Sequence, residues 1–191
     1  MRGLDSLTFD TTGLAHAQDQ GNRRIWLAPD RDIYALMYFP VPPNIDVPLR
    51  DIGKVRARYR DLLRDSYEAY RGHEVSSQGD GFLTRFERPG DAVQCAIDFQ
   101  RKLHDQRRQF GFAPAVRIGI NAGDAIEEQG DVLGTTVNLA SRVTGTAEPN
   151  EILVTEAVAD ALDDRFRLRD GGLREMKGLD RSVHVISVSW E

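Results

Sequence analysis

The sequence predicts an α+β chain, and three observations carry that expectation. Apolar residues recur at helical spacing over residues 52–70 and again after Pro89. Short β-branched and aromatic runs lie between and beyond these stretches. Glycine-containing turns, above all Gln78-Gly79-Asp80-Gly81, join neighbouring runs into hairpins. Such a mixture places helices on one side of a mainly antiparallel sheet.

Taken in order, residues 4–10 read as a short strand and residues 11–22 as a polar loop. Residues 24–28 and 33–39 read as two strands across the turn Pro29-Asp30-Arg31-Asp32. Pro40, Pro42 and Pro43 end the second strand, because proline lacks the donor and fixes φ. Ile52, Val55, Tyr59, Leu62, Leu63 and Tyr70 share a helical period that Gly72 stops. Residues 74–77 and 82–86 then form a hairpin. Pro89-Gly90-Asp91 starts a helix whose buried stripe is Val93, Ala96, Ile97, Gln100 and Leu103. Residues 115–121 alternate as a strand, 136–144 are helical and 152–154 a strand. A short helix over 155–162 is capped by Thr155. Strands over 166–168, 173–176 and 183–188 complete a β-rich end. No internal repeat or low-complexity stretch interrupts the chain.

The 191 residues suit one domain with an appendage. Net charge is −5, which gives no global basic face for nucleic acid. The arginines between Arg50 and Arg71 are diluted by Asp51, Asp61, Asp65 and Glu68, as on a solvated amphipathic helix. A single cysteine, Cys95, allows no intrachain disulfide and reads as a small core residue. No run approaches the roughly 18 apolar residues of a membrane span, and residues 1–5 lack the apolar core of a signal peptide, so a cytoplasmic location is expected. His16, His73, His104 and His184 share no metal-ligand spacing. There is no Gly-x-Ser-x-Gly elbow and no Walker-type Gly-Lys-Ser.

The most informative run is Gly130-Asp131-Val132-Leu133-Gly134-Thr135-Thr136-Val137-Asn138-Leu139-Ala140-Ser141-Arg142. It sets a carboxylate, an amide and a guanidinium across a strand-to-helix junction. Asn138 and Arg142 are four apart and share a helix face. A planar donor fork beside an amide suits a phosphate ester and a ribose. Three further blocks accompany it: Val75-Ser76-Ser77-Gln78-Gly79-Asp80-Gly81-Phe82, Arg117-Ile118-Gly119-Ile120-Asn121-Ala122-Gly123-Asp124, and Leu173-Arg174-Glu175-Met176-Lys177-Gly178.

Together, in this order, the four blocks resemble the class III nucleotidyl (adenylate/guanylate) cyclase homology domain, specifically from about His73 to the C-terminus. The resemblance implies a ferredoxin-like core of antiparallel sheet with helices packed on it. It implies a divergent segment over residues 1–50 and the cyclase homology domain over 51–191. It also implies conversion of a nucleoside triphosphate to a 3′,5′-cyclic nucleotide and pyrophosphate, within signal transduction, using Mg or Mn. By the resemblance, Asp80 is one of two metal carboxylates, Asp131 accepts from the base, Asn138 orients the ribose, Arg142 neutralises the α-phosphate and Lys177 contacts the terminal phosphates. The site forms between two such domains, as a homodimer or a heterodimer. Taken singly, Asp80 and Asp131 are also ordinary turn aspartates, Asn138 and Arg142 solvent-facing helix residues, and Lys177 a turn lysine.

Two positions depart from the pattern. Phe39 or Pro40 stands where the second metal carboxylate is expected, with Asp46 or Asp32 as substitutes from another register. Ser76 stands where a base-contacting lysine is expected, which leaves the base open. The expectation is a cyclase whose activity is weak or partner-dependent. The alternative is a catalytically inactive nucleotide-binding, dimerisation or regulatory module. Asp124, Glu127 and Glu128 read as a solvated loop.

Overall fold

The computed structural model describes residues 8–9, 15–18, 24–25, 33–38, 49–78, 81–111, 113–123, 126–128, 131–133 and 135–191, with side chains described over 57–77, 81–111, 113–123 and 135–191. The chain divides into two compact units, Met1–Arg31 and Asp32–Glu191. The first contains β1 (Thr8–Phe9), β2 (Ala15–Gln18) and β3 (Arg24–Ile25), paired antiparallel in that order. Strand β2 falls in the stretch expected to be a polar loop; its residues Ala15-His16-Ala17-Gln18 carry no strand propensity, so pairing with neighbours rather than composition makes the strand.

The second unit runs β4 (Ile33–Tyr38), α1 (Leu49–Ala69), β5 (His73–Gln78), β6 (Gly81–Phe86), α2 (Pro89–Phe110), β7 (Arg117–Ala122), β8 (Ile126–Glu128), β9 (Asp131–Leu133), α3 (Thr135–Thr146), β10 (Ile152–Thr155), α4 (Glu156–Ala159), β11 (Leu168–Arg174) and β12 (Val183–Val188). Its main sheet has the order β11-β12-β10-β7-β4-β6-β5. The β7-β4-β6-β5 portion, with α1 and α2 as the crossovers, is the ferredoxin-like βαββαβ core. Strand β4 is central to it, pairing antiparallel with β6 on one side and β7 on the other. All neighbours in the sheet are antiparallel except β10 and β7, which are parallel.

Helices cover both faces of the sheet, not one as the sequence suggested. Successive strand residues point to opposite faces. Along β7, Ile118 and Ile120 are fully buried in a cluster with Leu63 of α1 and Val93, Phe99 and Leu103 of α2. Between them, Gly119 faces the other way, against α3. A Cβ on Gly119 would lie 2.4 Å from the Thr144 amide nitrogen and 2.8 Å from the Ala140 carbonyl oxygen. The missing side chain is therefore what lets α3 lie directly on the sheet. The small residue is local in sequence, but the helix it receives is 21 residues downstream (Ala140), so the one-face expectation could not register it.

The helix ends carry a second correction. Arg71, with φ 58°, is the left-handed residue after α1. Gly72 donates its N–H to the Tyr67 carbonyl at 2.7 Å, and a Cβ there would meet the Phe86 ring at 2.5 Å. Gly72 thus serves packing more than turning. Cys95 is fully buried on α2, and burial pushes its thiol up to about 12, consistent with a core role. The five residues of the expected α2 stripe are all buried. The strands expected over 166–168 and 173–176 are one strand, β11, whose pairing with β12 shifts register between Asp170 and Gly172. No helix among the described residues is long and apolar enough to cross a membrane.

Candidate functional site

Helix α3 carries the two residues of most interest, and its seat on the sheet is fixed by a buried polar chain. Asn121, on the same face of β7 as Gly119, is buried. Its amide donates to the Thr136 carbonyl in the first turn of α3 at 3.0 Å. Its own carbonyl oxygen accepts from the Thr155 hydroxyl at 2.9 Å. Both Asn121 groups are thereby satisfied out of water, where an unpaired amide is costly. Thr155 was expected to cap α4; its side chain makes no cap bond and turns to Asn121 instead. Neither Asn121 nor Thr155 was anticipated as part of the site. The available signal was a polar residue ending the alternating run Ile118-Gly119-Ile120-Asn121, on the parity of the glycine.

Held this way, α3 leaves Asn138 exposed and Arg142 half-buried one turn later. Arg142 donates through Nη1 to the carbonyl oxygen of Lys177, 35 residues away in sequence. The turn at Lys177 reaches α3 because Met176 is buried with Val143, Ala147, Leu153 and Val185. Gly178, at φ 76°, gives the guanidinium room: a Cβ would stand 3.1 Å from Arg142 Nη1. The Lys177 side chain is exposed. Two of the sequence-identified residues are thus in direct contact, and Asn138 lies on the same helix.

Ser76 belongs to β5, at a bulge that follows Glu74. It pairs with Leu83, and Leu83 is buried with Ala140 of α3, so Ser76 is on the α3 face. Its neighbour Val75 packs in that cluster with Val137, the residue before Asn138. Asp131 opens β9, which pairs with β8 in a small hairpin that lies against β5. This corrects the reading of Glu127 and Glu128 as loop residues: both are in β8, opposite Val132 and Asp131. The side chain of Asp131 lies outside the described residues, as do Asp80, Phe39, Pro40 and Asp46.

Beside the Asn121 chain, a cavity of about 610 Å³ is lined by Thr135, Thr136, Thr155, Glu156 and His184 among others. His184 bridges two carboxylates, with Nδ1 2.7 Å from Glu156 and Nε2 2.8 Å from Asp170. These bonds, to Glu156 first and then Asp170, raise the imidazole above its usual value. Through these two bonds His184 ties β12 to α4 and β11; among the described residues no group of three or more His, Cys, Asp or Glu could hold a metal ion.

Comparison with known proteins agrees with this geometry. The model of the adenylate and guanylate cyclase catalytic domain family matches residues 50–188. The chain is 29% identical over 133 residues to putative adenylate cyclase 3 of Rhizobium meliloti, covering 68% of this chain and 23% of that protein. It is 38% identical over 147 residues to the pH-sensitive adenylate cyclase MT1302 of Mycobacterium tuberculosis, covering 74% and 36%. The chain thus spans a minor part of the curated relatives it matches. Among solved structures, an adenylate/guanylate cyclase/hydrolase from Silicibacter pomeroyi superposes with a TM-score of 0.70 at 28% identity, over 84% of this chain and 98% of that one. The adenylyl cyclase CyaB from P. aeruginosa shares the fold, with a TM-score of 0.71 at 20% identity over 84% and 95%. With the family's catalytic-domain model matched across most of its length, this chain belongs to the class III adenylate and guanylate cyclase catalytic domain family.

Proposed function

We propose that the chain binds a nucleoside triphosphate and contributes the ribose- and phosphate-facing half of a cyclase site shared with a second domain. Cyclisation to a 3′,5′-cyclic nucleotide and pyrophosphate then depends on what that partner supplies. The observation that carries the reading is the junction of Arg142 with the Lys177 turn, with Asn138 one turn away on the same helix. A guanidinium held by a backbone carbonyl has lost its rotamer freedom before substrate arrives. It can meet charge developing on a phosphate without further ordering. Lys177, exposed at the same turn, is the second cation for the terminal phosphates, and Asn138 the donor and acceptor for the ribose.

The family relation supports a general expectation of Mg or Mn. The residues of this chain fit such an ion poorly, and the reading routes no step through one held by this chain alone. The sequence supports that view: Phe39 or Pro40 stands where the second metal carboxylate is expected, and neither side chain can ligate a cation. A partner domain with both carboxylates would complete the site.

Isothermal calorimetry with ATP, GTP, CTP and UTP in Mn²⁺ tests the binding half of this reading. Wild type is expected to bind at least one of them, and Arg142→Ala to bind it about tenfold or more weakly, the scale of one charged hydrogen bond. Equal affinity in the two proteins would remove Arg142 from the site. Absence of binding to all four would favour the alternative of a regulatory or dimerisation module.

A further inference from the structure

Strand β5 closes one end of the main sheet, and a single carboxylate ties it to α1. Glu74 Oε2 accepts from Tyr67 Oη at 2.7 Å and from Arg64 Nε at 3.1 Å. The Ser77 side chain bonds to the same carboxylate. Burial opposes the charge, but the bonds from Arg64, Tyr67 and Ser77 outweigh it and hold the Glu74 carboxyl below its usual range. Burial first, and then Glu74, push the Tyr67 phenol up to about 12.

Glu74 and Ser77 are three apart, and in an unbroken strand they would stand on opposite faces. They share the α1 face because β5 carries an extra residue, Val75, between Glu74, which pairs with Thr84, and Ser76, which pairs with Leu83. Ser77 then pairs with Phe82, which is buried in the same cluster as Tyr67. The extra residue sends Val75 and Ser76 together to the other face. There Val75 packs with Val137 and Ala140 of α3, and Ser76 stands opposite Leu83 of that cluster. The bulge thus decides which of two adjacent serines faces α3. Without it Ser77 would take that side and Ser76 would turn to α1. A carboxylate bonded to α1 and to Ser77 at once holds the bulge closed.

We propose that Glu74 is a positioning residue for base selection: its bonds to Arg64, Tyr67 and Ser77 lock the β5 bulge, and the bulge presents Ser76 to the face on which α3 lies. Ser76 stands at the base-contacting position of the four sequence blocks, and its hydroxyl both donates and accepts. Held in one place, it favours a base edge that matches it over one that does not. This role rests on the nucleotide binding proposed above and reaches the base, which Asn138, Arg142 and Lys177 leave unread.

Calorimetry on the full chain with ATP, GTP, CTP and UTP in Mn²⁺ tests it through the ratio of the tightest to the weakest affinity. Ser76→Ala should shrink the wild-type ratio about fivefold, the scale of one hydrogen bond. Glu74→Leu should shrink it as far, and Glu74→Leu/Ser76→Ala no further, because the two residues act as one. Glu74→Gln keeps an acceptor for Tyr67 and Ser77 and should retain most of the ratio. Arg64→Gln/Tyr67→Phe frees the same carboxylate from α1 without touching β5, and replaces Glu74→Leu should that variant fail to fold. A purely structural Glu74 would lower the melting temperature, or weaken all four nucleotides by one factor, and leave the ratio alone. That result, a ratio indifferent to Ser76→Ala, or a wild type that binds all four alike would overturn the proposal and leave nucleotide binding standing. A wild type that binds none of the four would overturn both.

Discussion

At the scale of single residues, the seat of α3 depends on side chains other than Asn138, Arg142 and Lys177. Asn121 has both halves of its amide committed, to Thr136 and to Thr155. Asn121→Ala leaves a buried carbonyl and a buried hydroxyl without those partners, and should cost about 1–3 kcal/mol of stability. The same change loosens the first turn of α3, so nucleotide affinity should fall as well. Thermal melting and calorimetry on the one variant read the two effects, and unchanged affinity would separate Asn121 from the site. Arg142 and Lys177 were legible in the sequence because each sits in a short, distinctive block. Their contact was not, because a 35-residue separation leaves no local trace. Asn121 was visible only as a polar residue on a strand, and Thr155 carried a misleading signal: a threonine ahead of a short helix has the look of a cap.

At the scale of elements, the seat of α3 is decided by one missing methyl group. Gly119→Ala puts a Cβ 2.4 Å from the Thr144 amide nitrogen, against backbone that cannot step aside cheaply. A loss of about 1–3 kcal/mol is expected on the scale of overpacked cores, measured by urea unfolding. A loss well below that would mean that α3 can shift on the sheet. The tie between α4, β11 and β12 responds to pH. The folded His184 has its pKa raised above the ordinary value near 6.5 by Glu156 and Asp170. The protonated form is therefore favoured by folding. Its contribution is full below the unfolded value and is lost as pH rises through the raised folded value. His184→Gln should accordingly flatten the melting-temperature profile from about pH 6.5 upward, with a small amplitude because the pair is partly exposed and screened. A profile as steep as wild type would assign that pH dependence to other groups. Element types were the most legible layer of the sequence. Helical period, the Gly-Asp-Gly hairpin and the α2 stripe are set by neighbours within a few residues. Which face a helix takes is set by Gly119 against Ala140 and Thr144, and no window of local pattern contains both.

At the scale of the whole molecule, the chain is a family catalytic fold that spans a minor part of its curated relatives. Helix α3 and the Lys177 turn are packed together on one face of the open sheet. Strands β4 and β6 pair as far as Tyr38 and Gly81, while Phe39, Pro40 and Asp80 lie outside the described residues. The divided site proposed above, in which one domain holds the phosphates and another the metal, rests on the missing carboxylate at Phe39 or Pro40 in the sequence. Composition and pattern set the α+β class but not this division, which rests on single positions of the sequence. The most direct measurement mixes the chain with a cyclase domain that retains both metal carboxylates and lacks its own Asn and Arg counterparts, and follows cyclic-nucleotide formation in Mn²⁺. The account predicts product from the mixture, little from either domain alone, and loss of product when Arg142→Ala replaces the wild-type chain. Silence from the mixture, or product that is indifferent to Arg142→Ala, would contradict it.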